Sequence, residues 1–530
     1  MDDLWHASIN ARGRLLNADN AEQVSQAVAS LWMSSMATSS FETSAASTAI
    51  TVPGGARKYT STYRSGTWVG NVVATQIETD NGSDVCTIWM VQGQSPGAAA
   101  QVGYPPAPCP GRSATPALRG IPEPAVRHIY AWNGSSYGDF DASNAYVAAR
   151  VKPTEGLGGN ARQLIDYLRG DQSLEDAKGV PNYYRARAAL LGDIVHSRPT
   201  LVQAGSDLGY TRLPMGSCAQ GYGDYRARKI AGRPEGVLFV GANDGMLHGF
   251  RDSTGVEAFA FVPQAVMPQL PALARRSYTH QYYVDGQLSE ADACLDGLAW
   301  SNLLLGTLGA GGKSVFALRF PLALPPSSTM GLSGTSILWE ITSTTSGFAN
   351  LGNIVASDIQ TGLAMNGQWV GVFGNGYYGA DGTAHLYIVD LRSGSLLRDI
   401  VAGAVNSGNG LSGVTLVRDA SQRIIGAYAG DLQGNLWKFD LSSANRANWQ
   451  LGLAGAALYA AGSSQPITAA PLFVTHPLGG RVVAFGTGQY LNPPDATSST
   501  QQALYGIWDS VPFGDPLPGT PARVAQTGLS

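Results

Sequence analysis

One short phrase occurs twice in this chain, far apart. It reads "VLFVGANDGMLHGF" at 237–250 and "AYAGDLQGNLWKFD" at 427–440. Gly241 aligns with Gly430, Gly245 with Gly434, Leu247 with Leu436 and Phe250 with Phe439. In each copy a β-rich run enters, small polar residues and glycine make the turn, and a second β run leaves. Glycine supplies the positive φ that such hairpin turns demand. Weaker copies occupy 302–320, 369–394 and 481–510. A lone hairpin cannot bury both faces, whereas several arranged radially cover one another. The repeat also overrides the usual prior that 530 residues make several domains. The expected fold is all-β, a β-propeller of six to eight blades with seven favoured, and a few short peripheral helices. Two stacked β-sandwiches are the alternative.

Composition agrees with short strands and tight turns: 66 glycines, 14% charged residues and an abundance of Ser, Thr, Ala and Val. The net charge of -4, with no Lys/Arg stripe, argues against nucleic acid as a partner. No apolar run reaches the roughly 18–20 residues of a membrane span. The opening "MDDLWHASIN" is acidic and lacks an apolar h-region, so it does not read as a signal peptide. The chain therefore reads as a piece of something longer or as a cytosolic protein.

The four cysteines, Cys86, Cys109, Cys218 and Cys294, include no C-x-x-C pair, which argues against zinc or thioredoxin-like chemistry. Pairing 86–109 and 218–294 is the simplest of three connectivities. The sequence does not choose among them, and four buried thiols are the alternative.

Three regions are expected. Residues 1–45 form a helical lead-in, with Val24, Val28, Leu31 and Trp32 on one face and Asn20 and Gln23 as a capping pair. A Ser/Ala/Thr-rich loop follows at 34–49. Residues 46–185 hold hairpins at 67–92 and 127–140, a loop at 94–124 and a helix at 160–169, packed on or contributing to the propeller. In that helix Leu164 and Leu168 point inward and Gly170 is the stop. Residues 186–530 form the propeller body, almost wholly β from Gly192 onward.

Several phrases in order, "LWHASINARGRLLNADN", "LIDYLRGD", "YRARAALLGDIVHSRPTLV", "VLFVGANDGMLHGF", "YYVDG", "GAGGKSVFALRF", "VFGNGYYG" with "LYIVDLRSG", and "YAGDLQGNLWKFDL", resemble the C-terminal domain of the PilY1 family. The resemblance spans residues 4–442. It implies a modified propeller, export to the periplasm and cell surface, and hence an oxidising setting for the cysteines. It also implies a type IV pilus biogenesis factor and adhesin that promotes pilus extension, opposes retraction and mediates attachment. The implied partners are minor pilins of the pilus tip and a host or abiotic surface. Family members carry a further N-terminal half, so the chain resembles an excised C-terminal domain. Many members also hold calcium in a D-x-[DN]-x-D-G-x-x-D loop. Here the corresponding positions are Val417, Asp419, Ser421 and Ile425, with Arg423 between them. Calcium takes about six to eight oxygen ligands. One carboxylate with a nearby arginine does not supply them, so no metal or cofactor is expected.

Other motifs have plainer readings. Arg169-Gly170-Asp171 matches an integrin-binding tripeptide, yet it also reads as a helix terminus. "GAGGKS" at 309–314 has Gly312 where a phosphate-binding loop requires lysine, and a strand follows it. The histidines, among them His128, His196, His248 and His280, show no metal spacing, and there is no G-x-S-x-G elbow. The acidic turns at 80–84 and 138–144 suit turn formation. Trp89, Trp369, Trp437 and Trp508 sit near strand ends, as packing residues or as an exposed patch for a partner or glycan. The function expected is non-enzymatic docking, with 94–124 and 492–501 as contact loops. A quinoprotein-like propeller dehydrogenase needs a cofactor cradle and metal carboxylates, which this sequence does not present. A periplasmic propeller scaffold binding peptides is the remaining alternative.

Overall fold

The computed structural model describes residues 40–47, 57–77, 84–92, 109–110, 120–176 and 183–514, apart from 215, 323–328, 356 and 406. The expected N-terminal helix, the turn at 80–83 and most of the 94–124 loop lie outside the described residues.

The described strands form five sheets. The first is an antiparallel meander of β1 (Ser40–Ser47), β2 (Arg57–Arg64), β3 (Val69–Ile77) and β4 (Asp84–Met90). The second contains β5 (Ile129–Trp132), β6 (Tyr137–Asp139), β7 (Thr200–Val202), β8 (Val237–Gly241), β9 (Leu247–Arg251) and β10 (Glu257–Val262). There β5 runs parallel to β10, so the hairpin at 129–139 extends the sheet built from 200–262. The third is β11 (Leu288–Cys294), β12 (Trp300–Thr307), β13 (Ser314–Phe320) and β14 (Ile337–Thr342).

The fourth sheet is two meanders fused. One is β15 (Gln360–Ala364), β16 (Trp369–Gly374), β17 (Ala384–Asp390) and β18 (Leu396–Ala402). The other is β19 (Leu411–Arg418), β20 (Arg423–Asp431), β21 (Asn435–Asp440), β22 (Gln450–Leu451) and β23 (Tyr459–Ala460). They touch where Leu363 and Ala364 lie parallel to Arg423 and Ile424. The fifth sheet is β24 (Leu472–Thr475), β25 (Arg481–Gly486) and β26 (Leu504–Asp509).

The packing is that of a propeller. The first strands of successive meanders adjoin, β7 with β11, β11 with β15, and β15 with β19. A separate apolar cluster fills each interval between consecutive meanders. Trp89 and Phe250 meet between sheets one and two. Phe261 and Phe316 meet between two and three, and Val315 and Phe373 between three and the first half of four. Val372 and Trp437 lie between the halves of four, and Tyr428 and Phe485 between four and five. Trp89, Trp369 and Trp437 are buried in this packing, while Trp508 stacks on His476 at 4.5 Å.

Among the described residues three α-helices are peripheral: α1 (Ala145–Arg150), α2 (Ala161–Arg169) and α3 (Tyr222–Gly232). In α2, Leu164 and Leu168 are buried, Asn160 and Gln163 form a capping box, and Gly170 ends the helix at φ 118°. None of these helices is long and apolar enough to cross a membrane.

Two sequence expectations need correction. Residues 40–47, read as loop, form β1, because pairing with β2 satisfies a backbone whose Ser/Thr/Ala composition gives little pattern to detect. The region after Gly192 is not almost wholly β. Helix α3 lies there, clamped by the buried Asp292, which accepts from Tyr222 Oη (2.9 Å), Tyr225 Oη (2.8 Å), Asn302 Nδ2 (2.9 Å) and Lys229 Nζ (3.2 Å).

Candidate functional site

The five turns β8–β9, β12–β13, β16–β17, β20–β21 and β25–β26 lie at one end of the sheets, laced together by the segments that enter each meander. Val284 N donates to Ala242 O (3.4 Å), Asn353 N to Tyr377 O (2.7 Å), Gly376 N to Leu411 O (3.0 Å) and Ile467 N to Asp431 O (2.9 Å). This lacing explains the repeated first glycine. A Cβ on Gly241 would collide with Val284 O, and one on Gly430 with the Ile467 side chain.

Two His–Asp pairs cross between sheets two and three on this face. His196, in the segment before β7, meets Asp285, in the segment before β11, at 2.5 Å. His280, before β11, meets Asp193, before β7, at 2.7 Å. Asn243 Nδ2 also donates to Asp193 (2.8 Å). The hydrogen bond that the His196 ring makes to the Asp285 carboxylate raises the His196 pKa against the opposing effect of burial. Aromatic rings continue the line. Trp68 stacks on His280 at 3.8 Å, Tyr282 meets His280 edge-on at 5.0 Å, and His196 lies 5.4 Å from Tyr282.

Beside Tyr282 opens a groove of about 930 Å³, walled by the ends of sheets two and three, the β12–β13 turn and the end of α1. Lys313 crosses its rim and donates to Tyr378 O at 2.5 Å, and Asn492 Nδ2 donates to Tyr378 Oη at 2.9 Å. Tyr378 stands at φ 61° with half its surface exposed, and Trp68 stands at φ 55°. Two bulky residues held in the left-handed region on one face mark a surface whose geometry is imposed by its surroundings. The 487–503 segment, including the expected contact loop 492–501, borders the same surface.

The other singled-out residues serve the fold. Arg169 donates to Phe140 O (2.9 Å), Pro124 O (2.9 Å) and Arg127 O (3.0 Å), and Asp171 Oδ1 accepts from Ser173 N (2.8 Å). The tripeptide is thus spent on the α2 terminus and its neighbours. Asp419 closes the β19–β20 turn, accepting from Ser421 N (2.8 Å) and Arg423 N (2.9 Å) and pairing with the Arg423 guanidinium at 3.0 Å. Val417 is buried, and Ile425 packs against the cluster beneath sheet five. The cysteines form two disulfides, Cys86–Cys109 and Cys218–Cys294. The 309–314 phrase is a hairpin turn with a 3-10 element at Gly309–Gly311.

Sequence reasoning missed the carboxylate partners of the histidines. His248 is buried between Glu257 (2.7 Å) and Asp244 (3.1 Å), and Glu257 also pairs with buried Arg127 at 2.6 Å. His385 lies between Asp399 (2.8 Å) and Asp381 (2.9 Å). The only local signal was an aspartate four residues before His248 and another before His385.

The family model of the PilY1 beta-propeller domain matches residues 191–529. A type IV pilus biogenesis factor PilY1 of Pseudomonas aeruginosa (strain UCBPP-PA14) is 33% identical across 99% of this chain, which covers 46% of that protein. A PilY1 homolog of Xylella fastidiosa is 31% identical across 100% of this chain and 38% of its own length. The crystal structure of the Pseudomonas aeruginosa PilY1 C-terminal domain has 34% identity and a TM-score of 0.49, covering 60% of this chain and 65% of that one. The chain thus spans less than half the length of these full-length relatives. Its repeated hairpins, its interlaced meanders and the match over 191–529 establish that it belongs to the PilY1 family.

Proposed function

We propose that this chain is the propeller part of a type IV pilus biogenesis factor and adhesin, acting by docking rather than by catalysis. The observation that carries this reading is the family match over 191–529, joined by relatives named as type IV pilus biogenesis factors. In this reading the protein works in the periplasm and at the cell surface. It contacts minor pilins of the pilus tip, promotes extension against retraction, and attaches to a host or abiotic surface. The turn face is the docking surface, because a rigid scaffold there holds exposed loops and aromatic rings. Tyr490 and Tyr378 are 72% and 53% exposed, too much to serve as inter-blade packing.

Calcium is not part of this mechanism. The Asp419 carboxylate already receives two backbone amides and a guanidinium, and Val417 and Ile425 bring no side-chain oxygen. A cation there would have to displace Arg423 and would still lack ligands.

The test is deletion of this region from the full-length gene in the source bacterium, with surface pili counted by electron microscopy. Loss of pili that returns when the retraction motor is disabled supports a factor promoting extension. Unchanged pilus numbers and unchanged motility overturn the biogenesis reading.

A further inference from the structure

We propose that the groove beside Tyr282 binds an acidic oligosaccharide, a short chain of hydroxyl-rich rings bearing carboxylates. This deepens the attachment part of the proposed function and rests on that reading for its biological setting.

Charge is the first argument. The residues lining the groove include Arg150 and Lys313 and no Asp or Glu. The hydrogen bonds of both cations go to carbonyls: Arg150 to Tyr146 O at 3.5 Å, and Lys313 to Tyr378 O. The Arg150 Cζ also lies over the Tyr146 ring, 3.3 Å from its centroid, which holds the guanidinium at the groove. Glu340, close behind the groove, is half-buried and engaged by the amides of Gln264 and Ala265 and by the Ser314 hydroxyl. Two positive groups that face a common space and hold no carboxylate suit an anion that arrives from outside.

The rest of the lining is uncharged, and much of it is polar. Gln269, Gln281 and Thr344 are exposed there and offer both donors and acceptors, the complement of a hydroxyl-rich ligand. Tyr282 and the rim residue Tyr378 add flat faces on which the C–H side of a sugar ring can lie. The volume of about 930 Å³ lies near the top of the usual small-molecule range of roughly 300–1,000 Å³, which favours several rings over one.

A peptide fits less well. Peptides add to a free strand edge, lay an apolar helix face into an apolar groove, dock a proline-rich segment on aromatics, or present acidic motifs to clustered arginines, and this groove is lined by a single arginine. This groove is walled by strand ends and turns, exposes no strand edge, and mixes polar with apolar surface rather than offering the continuous apolar floor that a helix needs.

The test is calorimetric titration of the purified chain with trigalacturonate, against the fully methyl-esterified trimer and a hexaglutamate peptide. Saturable binding of trigalacturonate is expected. The ester, which keeps the rings and loses the charge, should bind at least about tenfold more weakly, as should Arg150→Gln and Lys313→Gln, since a charged hydrogen bond is worth about a factor of ten or more. Lys313→Arg should retain binding, and thermal unfolding should show every variant folded. No saturable binding at millimolar trigalacturonate overturns the proposal. Unchanged affinity in both glutamine variants does the same, and so does hexaglutamate binding as tightly as the trimer, which would assign the groove to acidic peptide. The assay uses neither pili nor cells, so its failure and a failure of the pilus reading are separate results.

Discussion

The hairpins at 237–251 and 423–440 share a backbone frame and differ in almost every polar residue. In the first, the aspartate sits just before the second glycine of the turn. Asp244 joins His248, Glu257 and Arg127 in a buried chain of alternating charge. In the second, the aspartate follows the first glycine. Asp431 receives only neutral donors: Gln433 N (3.0 Å), Asn435 N (2.8 Å) and Nδ2 (3.0 Å), Asn409 Nδ2 (2.9 Å) and Trp437 Nε1 (2.8 Å). Glycine and large apolar residues set the frame because they answer to backbone conformation and burial. The polar positions are free to differ, and each copy uses them to tie itself to its own neighbour. The first copy reaches Arg127 and through it the Arg169 carbonyl of α2, at 2.7 Å, whereas the second reaches Asn409 at the start of its own meander.

The comparison breaks most visibly at Glu257. Glu257→Gln leaves Arg127 and His248 buried with one charge short, and removing one partner of a buried ion pair costs about 3–5 kcal/mol. Chemical denaturation of the variant should show that loss. A loss no larger than that of Asp431→Ala would mean the charged chain contributes nothing beyond ordinary hydrogen bonding.

The pH dependence should also separate the two. Burial alone would lower the His248 pKa, but Asp244 and Glu257 override it and lift the value to about 9. Burial would raise Glu257, yet Arg127 and His248 hold it at about 2. A histidine raised in the folded state stabilises fully below its unfolded value of 6.5, and that contribution fades as pH climbs through 9. A depressed glutamate stabilises above 4.5 and loses that contribution as pH falls toward 2. Stability from the first hairpin should therefore be greatest between these limits and decline between pH 6.5 and 9 by roughly 2–3 kcal/mol. Melting temperatures across that range should fall in the parent and stay flatter in His248→Gln. Equal slopes would assign the decline elsewhere.

The frame was legible in the sequence because its signals are local. Asn-Asp-Gly between β runs, and Leu164, Leu168 and Gly170 in and after α2, act within a few residues of themselves. Helix α3 was not legible. Its buried face is Tyr222, Tyr225 and Lys229, and a buried lysine reads as polar until Asp292 is seen opposite it. Its first turn follows Gly221, which brings no side-chain cap. The turn face was hidden for a related reason. His196 and Asp285, like His280 and Asp193, are distant in sequence and meet only because adjoining meanders are laced together. Nothing local marks Trp68 and Tyr378 as residues that would accept positive φ.

Asp431→Ala is the next test. It removes the common acceptor of five donors around a buried carboxylate, and unsatisfied buried donors cost roughly 1–3 kcal/mol. About 2 kcal/mol of stability should be lost, with faster amide exchange at Gln433 and Asn435. Protection unchanged at those amides would show that the turn is held by its glycines alone.

The finest distinction lies in the second glycine of each copy. Gly245 and Gly434 stand at φ 95° and 76°, so alanine at either carries a similar backbone penalty of about 1–2 kcal/mol. The surroundings differ. A Cβ at 245 would meet the tip of the Leu270 side chain, which can swing, while a Cβ at 434 would meet the carbonyl oxygens of Gly462 and Gln465, which cannot move without their segment. Gly434→Ala should therefore lose about 1 kcal/mol more than Gly245→Ala in parallel denaturation. Equal losses would mean that the 462–465 segment yields as easily as a leucine rotamer, and that close approach of backbone to backbone is not what keeps glycine in the second copy.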